Sequence, residues 1–132
     1  MKRNILIIDD DHICNFLTLK ILKKIAGINE VYTALNGSLA LNMLQPKNNG
    51  TPIRPDIILL DLNMPIMDGF GFLEAFRNAD IPGKENILII IVTSPQNPED
   101  LKRILDSGIT HYLIKPLVAD ELKKILKTIN VV

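Results

Sequence analysis

The stretch ILIIDDDHIC, Ile5 to Cys14, changes character twice within ten residues. Four branched apolar residues, Ile5–Ile8, run directly into three consecutive aspartates, Asp9, Asp10 and Asp11. From Ile13 onward the apolar residues then recur every four positions, at Leu17, Ile21 and Ile25. An unbroken apolar run of this length fits a strand buried on both faces, as in a parallel sheet, and the wider spacing fits an amphipathic helix. Strand, turn and helix in that order form one unit of an α/β fold. The carboxylates at the turn repel one another, so their clustering predicts a cation between them.

The same unit recurs along the chain. Strand-sized apolar runs stand at Ile5–Ile8, Val31–Ala34, Ile57–Leu60, Ile87–Val92 and Tyr112–Ile114. Only "VYTA", Val31–Ala34, is interrupted by polar residues, which places it at a sheet edge. Helical segments lie between the runs. The first carries the Ile13–Leu17–Ile21–Ile25 stripe, with Gly27 where a C′ glycine belongs. Asn36 caps a second helix through Leu44, and Asp68 caps a third that carries Phe72, Leu73 and Phe76. Asn97, Pro98, Glu99 and Asp100 begin a fourth, which ends at Ser107–Gly108. The last has Leu122, Ile125, Leu126 and Ile129 on its apolar side. Five alternations predict a three-layer α/β sandwich, a parallel sheet with helices on both faces, in one domain over residues 1–132. Leu44–Pro55 is the one long irregular connection.

Composition removes several function classes. Fifteen basic and fifteen acidic residues cancel, and tryptophan is absent, so neither a nucleic-acid surface nor an anionic membrane surface is indicated. The apolar runs are too short for a signal-peptide core or a membrane span. The lone cysteine, Cys14, fits a reducing compartment, and a cytoplasmic location is expected.

In an open parallel sheet, ligands bind outside the carboxyl ends of the strands. Those ends carry Asp9, Asp10 and Asp11 after the first run, Asp61 after the third, Thr93 and Ser94 after the fourth, and Lys115 and Pro116 after the fifth. Carboxylates converging from two strands suit Mg²⁺, which takes one or two of them together with water and phosphate oxygens. Asp61 is then a candidate nucleophile for a phosphoryl group, with Lys115 and the Thr93 hydroxyl placed to hold its oxygens. Asp11 reads as a helix cap and not as a ligand. Cys14 reads as a small packing residue, His12 as a solvated side chain, and Met64, Met67 and Phe70 as packing for the loop after Asp61.

With these residues in this order, the chain resembles the response-regulator receiver domains of two-component signalling over essentially its whole length. The resemblance implies a flavodoxin-like sheet of order 2-1-3-4-5. It makes Asp9 and Asp10 the acidic pair, Asp61 the phospho-acceptor and Lys115 the accompanying lysine. The Asn63 backbone carbonyl becomes a further Mg²⁺ ligand, Thr93 and Tyr112 the switch residues, and Lys115–Pro116 a cis peptide. It implies a sensor histidine kinase or phosphotransfer protein as donor and no dedicated enzyme activity. The output is a downstream protein bound at the face of helix four, strand five and helix five, with a homodimer through that face as a further expectation. No output domain is expected after the last helix. Pro95, two residues after Thr93, departs from the usual pattern. The competing readings are a receiver fold that takes no phosphate and serves as a docking module, and a Mg²⁺-dependent phosphohydrolase with an aspartyl nucleophile. The second wants another acid where Asn63 stands, and a cap for which the chain has no spare length. Lys102, Arg103, Lys123, Lys124 and Lys127 form either a basic face for an acidic partner or an ordinary solvated helix surface.

Overall fold

The computed structural model describes residues 3–46, 50–64, 66–94, 98–109 and 111–128. Strands and helices alternate: β1 (Arg3–Ile8), α1 (His12–Lys23), β2 (Ile28–Ala34), α2 (Gly37–Leu44) and β3 (Ile57–Asp61). After them come α3 (Gly69–Asn78), β4 (Leu88–Thr93), α4 (Pro98–Asp106), β5 (Tyr112–Ile114) and α5 (Ala119–Thr128). The five strands form one sheet in the order β2-β1-β3-β4-β5, and every neighbouring pair is parallel. The half-polar β2 lies at an edge, as its composition predicts. No helix among the described residues is long and apolar enough to cross a membrane.

Because side chains alternate along a strand, each central strand feeds two cores. Leu6, Ile8, Ile58, Leu60 and Ile91 pack with Ala40 and Leu44 of α2, Phe72, Leu73 and Phe76 of α3, and Ile104 of α4. Ile5, Ile7, Ile57, Leu59 and Ile90 pack on the opposite side with Leu22 of α1 and Leu122 and Leu126 of α5. The result is the three-layer sandwich expected from the alternation.

Helix caps follow the sequence closely. Asp11 Oδ1 accepts from the Ile13 and Cys14 amides, Asn36 Oδ1 from Leu39, and Asp68 Oδ1 from Gly71. At the other end of α3, Lys84 Nζ donates to the carbonyls of Phe76, Arg77 and Ala79, a cation where the helix dipole is negative. Asn97, Pro95 and Ile129 lie outside the described residues, as do residues 47–49 of the Leu44–Pro55 connection.

Two expectations need correction. The Ile13–Leu17–Ile21–Ile25 stripe is not the buried face of α1: Ile13 is 72% exposed and Leu17 54%, whereas Asn15, Thr18 and Leu22 point into the protein. A four-residue repeat overshoots a 3.6-residue turn by about 40°, so the stripe winds by about 80° from Ile13 to Ile21. Its end reaches the core at Ile25 and its beginning does not. Gly27 is not the C′ residue either, because α1 closes at Lys23 with Lys24 as its cap. Gly27 instead takes a positive φ of 94° in the turn into β2. Arg103 is exposed on α4. Its guanidinium lies over the Phe70 ring, 3.7 Å from the centroid, on the α3 side of α4.

Candidate functional site

β1 and β3 pair in register up to Ile8 and Leu60, so the next residue of each strand, Asp9 and Asp61, emerges at the same level of the sheet. Both are buried, while Asp10, one residue further on, is exposed. Each of the three offers a carboxylate oxygen, and these oxygens lie within 4.8 Å of one another. Across β4, the short β5 ends at Ile114, and the Lys115 amide donates to the Thr93 carbonyl at 2.8 Å. This turn aims the Lys115 ammonium back over the sheet, 3.0 Å from Asp9 Oδ2 and 3.5 Å from Asp61 Oδ1. The Lys115–Pro116 peptide is cis, as the resemblance implied.

Asp9 is held from every side. Its amide donates to Ala34, its Oδ1 accepts from the Asp11 amide at 2.9 Å, and its Oδ2 accepts from Lys115. Its carbonyl accepts from the side-chain amide of Asn15 at 2.9 Å. Asn15 is a buried polar residue that a search for apolar periodicity passes over. The only sequence signal for it is its position, four residues after the Asp11 cap, on the turn that comes back beneath the cluster.

The second unanticipated feature is at Gly69. A Cβ there would stand 2.7 Å from the Asp61 carbonyl oxygen and from Leu62 Cα. Glycine therefore lets α3 begin directly beneath the acidic turn, where the Gly69 amide donates to the Leu62 carbonyl at 2.9 Å. The "MDG" of the sequence is the visible trace of this close approach.

The electrostatics follow from burial and crowding. Burial, then the charge of Asp9, push the Asp61 carboxyl up to about 6, against the opposing pull of Lys115. Burial works against the Lys115 ammonium. The Asp9 hydrogen bond and the charges of Asp61 and Asp9 outweigh it and hold the group above the usual lysine value. Burial likewise raises the Cys14 thiol, which lines a small cavity with Thr18 and Leu117 beneath Asp9 and Asp61. Cys14 is thus a packing residue at the floor of the site, as its type suggested.

The remaining candidates are distributed around this centre. Thr93 is buried at the end of β4, one residue beyond the Asp61–Val92 pair, and its hydroxyl donates to the Ser94 carbonyl at 3.4 Å. The Asn63 amide points at Asp61 Oδ1 at 3.4 Å. Tyr112 lies farther out and is half-buried. With Ile114, Glu121, Lys124, Ile125 and Thr128 it lines an open cleft of about 420 Å³ between β5 and α5. His12 is exposed at the first position of α1, and Asp11 and Asp68 are occupied as caps.

An all-oxygen set of three converging carboxylates, beside a surface opening and a lysine, fits a hard divalent cation and a phosphoryl oxygen. Carboxylate sets of this kind suit Mg²⁺, Ca²⁺ or Mn²⁺ better than softer metals. Comparison with known proteins agrees. The family described as "Response regulator receiver domain" matches residues 5–127. The transcriptional regulatory protein PrrA of Mycobacterium leprae is 33% identical over 118 residues, covering 89% of this chain and 46% of PrrA. This chain therefore spans about half the length of that relative. Among solved structures, the bacteriophytochrome response regulator AtBRR superposes with a TM-score of 0.81 at 29% identity, covering 100% of this chain and 95% of its own. The phosphorylated cyanobacterial phytochrome response regulator RcpA does so with a TM-score of 0.79 at 27% identity, over 98% and 91%. The chain belongs to the response regulator receiver domain family of two-component signalling.

Proposed function

We propose that Asp61 is the residue of this receiver that accepts the phosphoryl group, and that Asp9, Asp10, Asp61 and the Asn63 carbonyl hold Mg²⁺ beside it. The observation that carries the reading is the convergence of three carboxylates within 4.8 Å, with Lys115 reaching both Asp9 and Asp61. When bound, Mg²⁺ neutralises the cluster and draws charge from the transferring phosphoryl oxygens.

The chain's own residues do the rest. Lys115 and the Asn63 amide meet Asp61 at Oδ1 and fix the carboxylate's orientation. One Asp61 oxygen forms the new O–P bond while the N–P bond of the donor phosphohistidine breaks, and the departing imidazole keeps the bonding pair. Lys115 then faces the added negative charge. The Thr93 hydroxyl exchanges the Ser94 carbonyl for a phosphoryl oxygen, and the half-buried Tyr112 follows it inward. This alters the cleft between β5 and α5, where a downstream partner docks. A local charge change thereby biases a two-state surface.

The donor is a histidine kinase or a phosphotransfer protein. Exposed apolar side chains near the cup support its docking there: Ile13, Phe16 and Leu17 on α1, and Ile66 after β3. The direct test is intact mass after incubation with acetyl phosphate, with and without Mg²⁺. A Mg²⁺-dependent gain of one phosphoryl group, absent from Asp61→Asn, is expected. A gain that persists in Asp61→Asn overturns the assignment.

A further inference from the structure

Asp10 and Asp9 are placed very differently. Asp9 uses its amide, carbonyl and both carboxylate oxygens in hydrogen bonds. Asp10 is exposed, and among the described residues no hydrogen bond or ion pair forms to its carboxylate. Its backbone sets where the Cα–Cβ bond starts, and its carboxylate stands within 4.8 Å of two others that repel it.

The Asp9 carbonyl and the Asp10 amide share one rigid peptide plane. Asn15 Nδ2 holds the oxygen of that plane at 2.9 Å, so it fixes the rotation that decides where Asp10 points. The arrangement closes a short circuit. Asp11 caps α1, the Asn15 amide donates to the Asp11 carbonyl at 3.0 Å, and the Asn15 side chain returns to Asp9.

Asn15 is a poor choice for stability alone. It is 8% exposed, and its Oδ1 is buried with no hydrogen-bond partner among the described residues. The amide cannot be turned round to cure this, because its oxygen would then face the Asp9 oxygen. An apolar residue of similar size would remove that orphan but leave the Asp9 carbonyl without its donor. Its neighbour Thr18 is equally buried on the same helix but makes no hydrogen bond to the acidic turn.

We infer that Asn15 is a positioning residue for the cation site, orienting the Asp9–Asp10 peptide so that the Asp10 carboxylate is aimed at the metal before the metal arrives. The inference rests on the reading of Asp9, Asp10 and Asp61 as a Mg²⁺ cup. Residues that orient ligands commonly change metal affinity by about 10–100-fold when removed, and Asn15, acting through backbone, belongs at the lower end.

The test is Mg²⁺ titration by calorimetry of wild type, Asn15→Leu and Thr18→Val, with melting temperatures in EDTA for each. Asn15→Leu is expected to raise the Mg²⁺ Kd about tenfold at a temperature well below its metal-free melting point, where the variant is fully folded. Thr18→Val is expected to leave Kd within about twofold, because Thr18 lies beneath the cup without a hydrogen bond to the acidic turn. Affinity lost by a fully folded Asn15 variant and kept by Thr18→Val separates a positioning role from a structural one. If Asn15→Leu fails to fold, Asn15→Ala takes its place in the same comparison. Wild-type affinity in the folded Asn15 variant, or an equal loss in Thr18→Val, overturns the inference. A wild type that shows neither heat nor a melting shift with Mg²⁺ overturns the cup reading itself, and the inference with it.

Discussion

Asp61 is a carboxylate buried beside another carboxylate, with one lysine to balance the two. Its carboxyl is raised to about 6, so between about pH 4 and 6 the folded protein binds a proton that the unfolded chain does not. The metal-free protein should therefore gain stability as pH falls through 6. Ionised Asp61 costs stability above that, and neutralisation removes the cost. Melting temperatures in EDTA from pH 7.5 to 5 check this: wild type should rise relative to Asp61→Asn, and parallel profiles would refute it. Ile66 is a second residue with a local cost. It is β-branched, has a φ of 70° and is 86% exposed in the loop after Asp61. Left-handed backbone costs a residue of this shape about 1–2 kcal/mol. Ile66→Asn, which tolerates that conformation, should stabilise the protein by about 1 kcal/mol in urea denaturation.

At the scale of one element, α1 shows how burial departs from periodicity. It presents Asn15, Thr18 and Leu22 inward and leaves Ile13, Phe16 and Leu17 outside, with Lys20 over the Phe16 ring at 4.9 Å. Leu17→Ser should change stability by less than about 0.5 kcal/mol, as a surface substitution does. Leu22→Ala should cost about 2–5 kcal/mol, because it opens a cavity between α1 and the sheet. Equal costs in chemical denaturation would mean that the helix is rotated from the position described. These exposed apolar side chains are the surface on which the proposed donor protein would dock.

At the scale of the whole molecule, the metal-free fold carries a built-in conflict. Asp9, Asp10 and Asp61 crowd one end of the sheet, and Lys115 supplies one positive charge. The Mg²⁺ site proposed above exists only when the chain is folded, so the ion should stabilise by about 2.7 kcal/mol at one hundred times Kd. Asp10→Ala removes one repelling carboxylate and one proposed ligand together. It should melt above wild type in EDTA and gain less from Mg²⁺; the reverse order in thermal melts would exclude a repulsive cluster.

Much of this was readable from the chain. Short apolar runs, caps such as Asp11, Asn36 and Asp68, and turn glycines act over a few residues, so the strand–helix alternation is written locally. With the alternation known, the carboxyl ends of the strands follow, and with them the candidates Asp9, Asp10, Asp61, Thr93 and Lys115. Other features depend on how the pieces meet. Lys115 reaches Asp9 across 106 positions of sequence, and the Asp61 carboxyl is raised only because packing removes water and brings Asp9 beside it. The rotation of α1 is likewise a tertiary outcome. The helix is tied to Asp9, just after β1, through the Asp11 amide and the Asn15 side chain, and Asn15, Thr18 and Leu22 form the face turned to the core. Local pattern determined which elements form and which reactive groups stand at their ends. Only packing decided their orientation, burial and charge state, because those depend on neighbours distant in sequence.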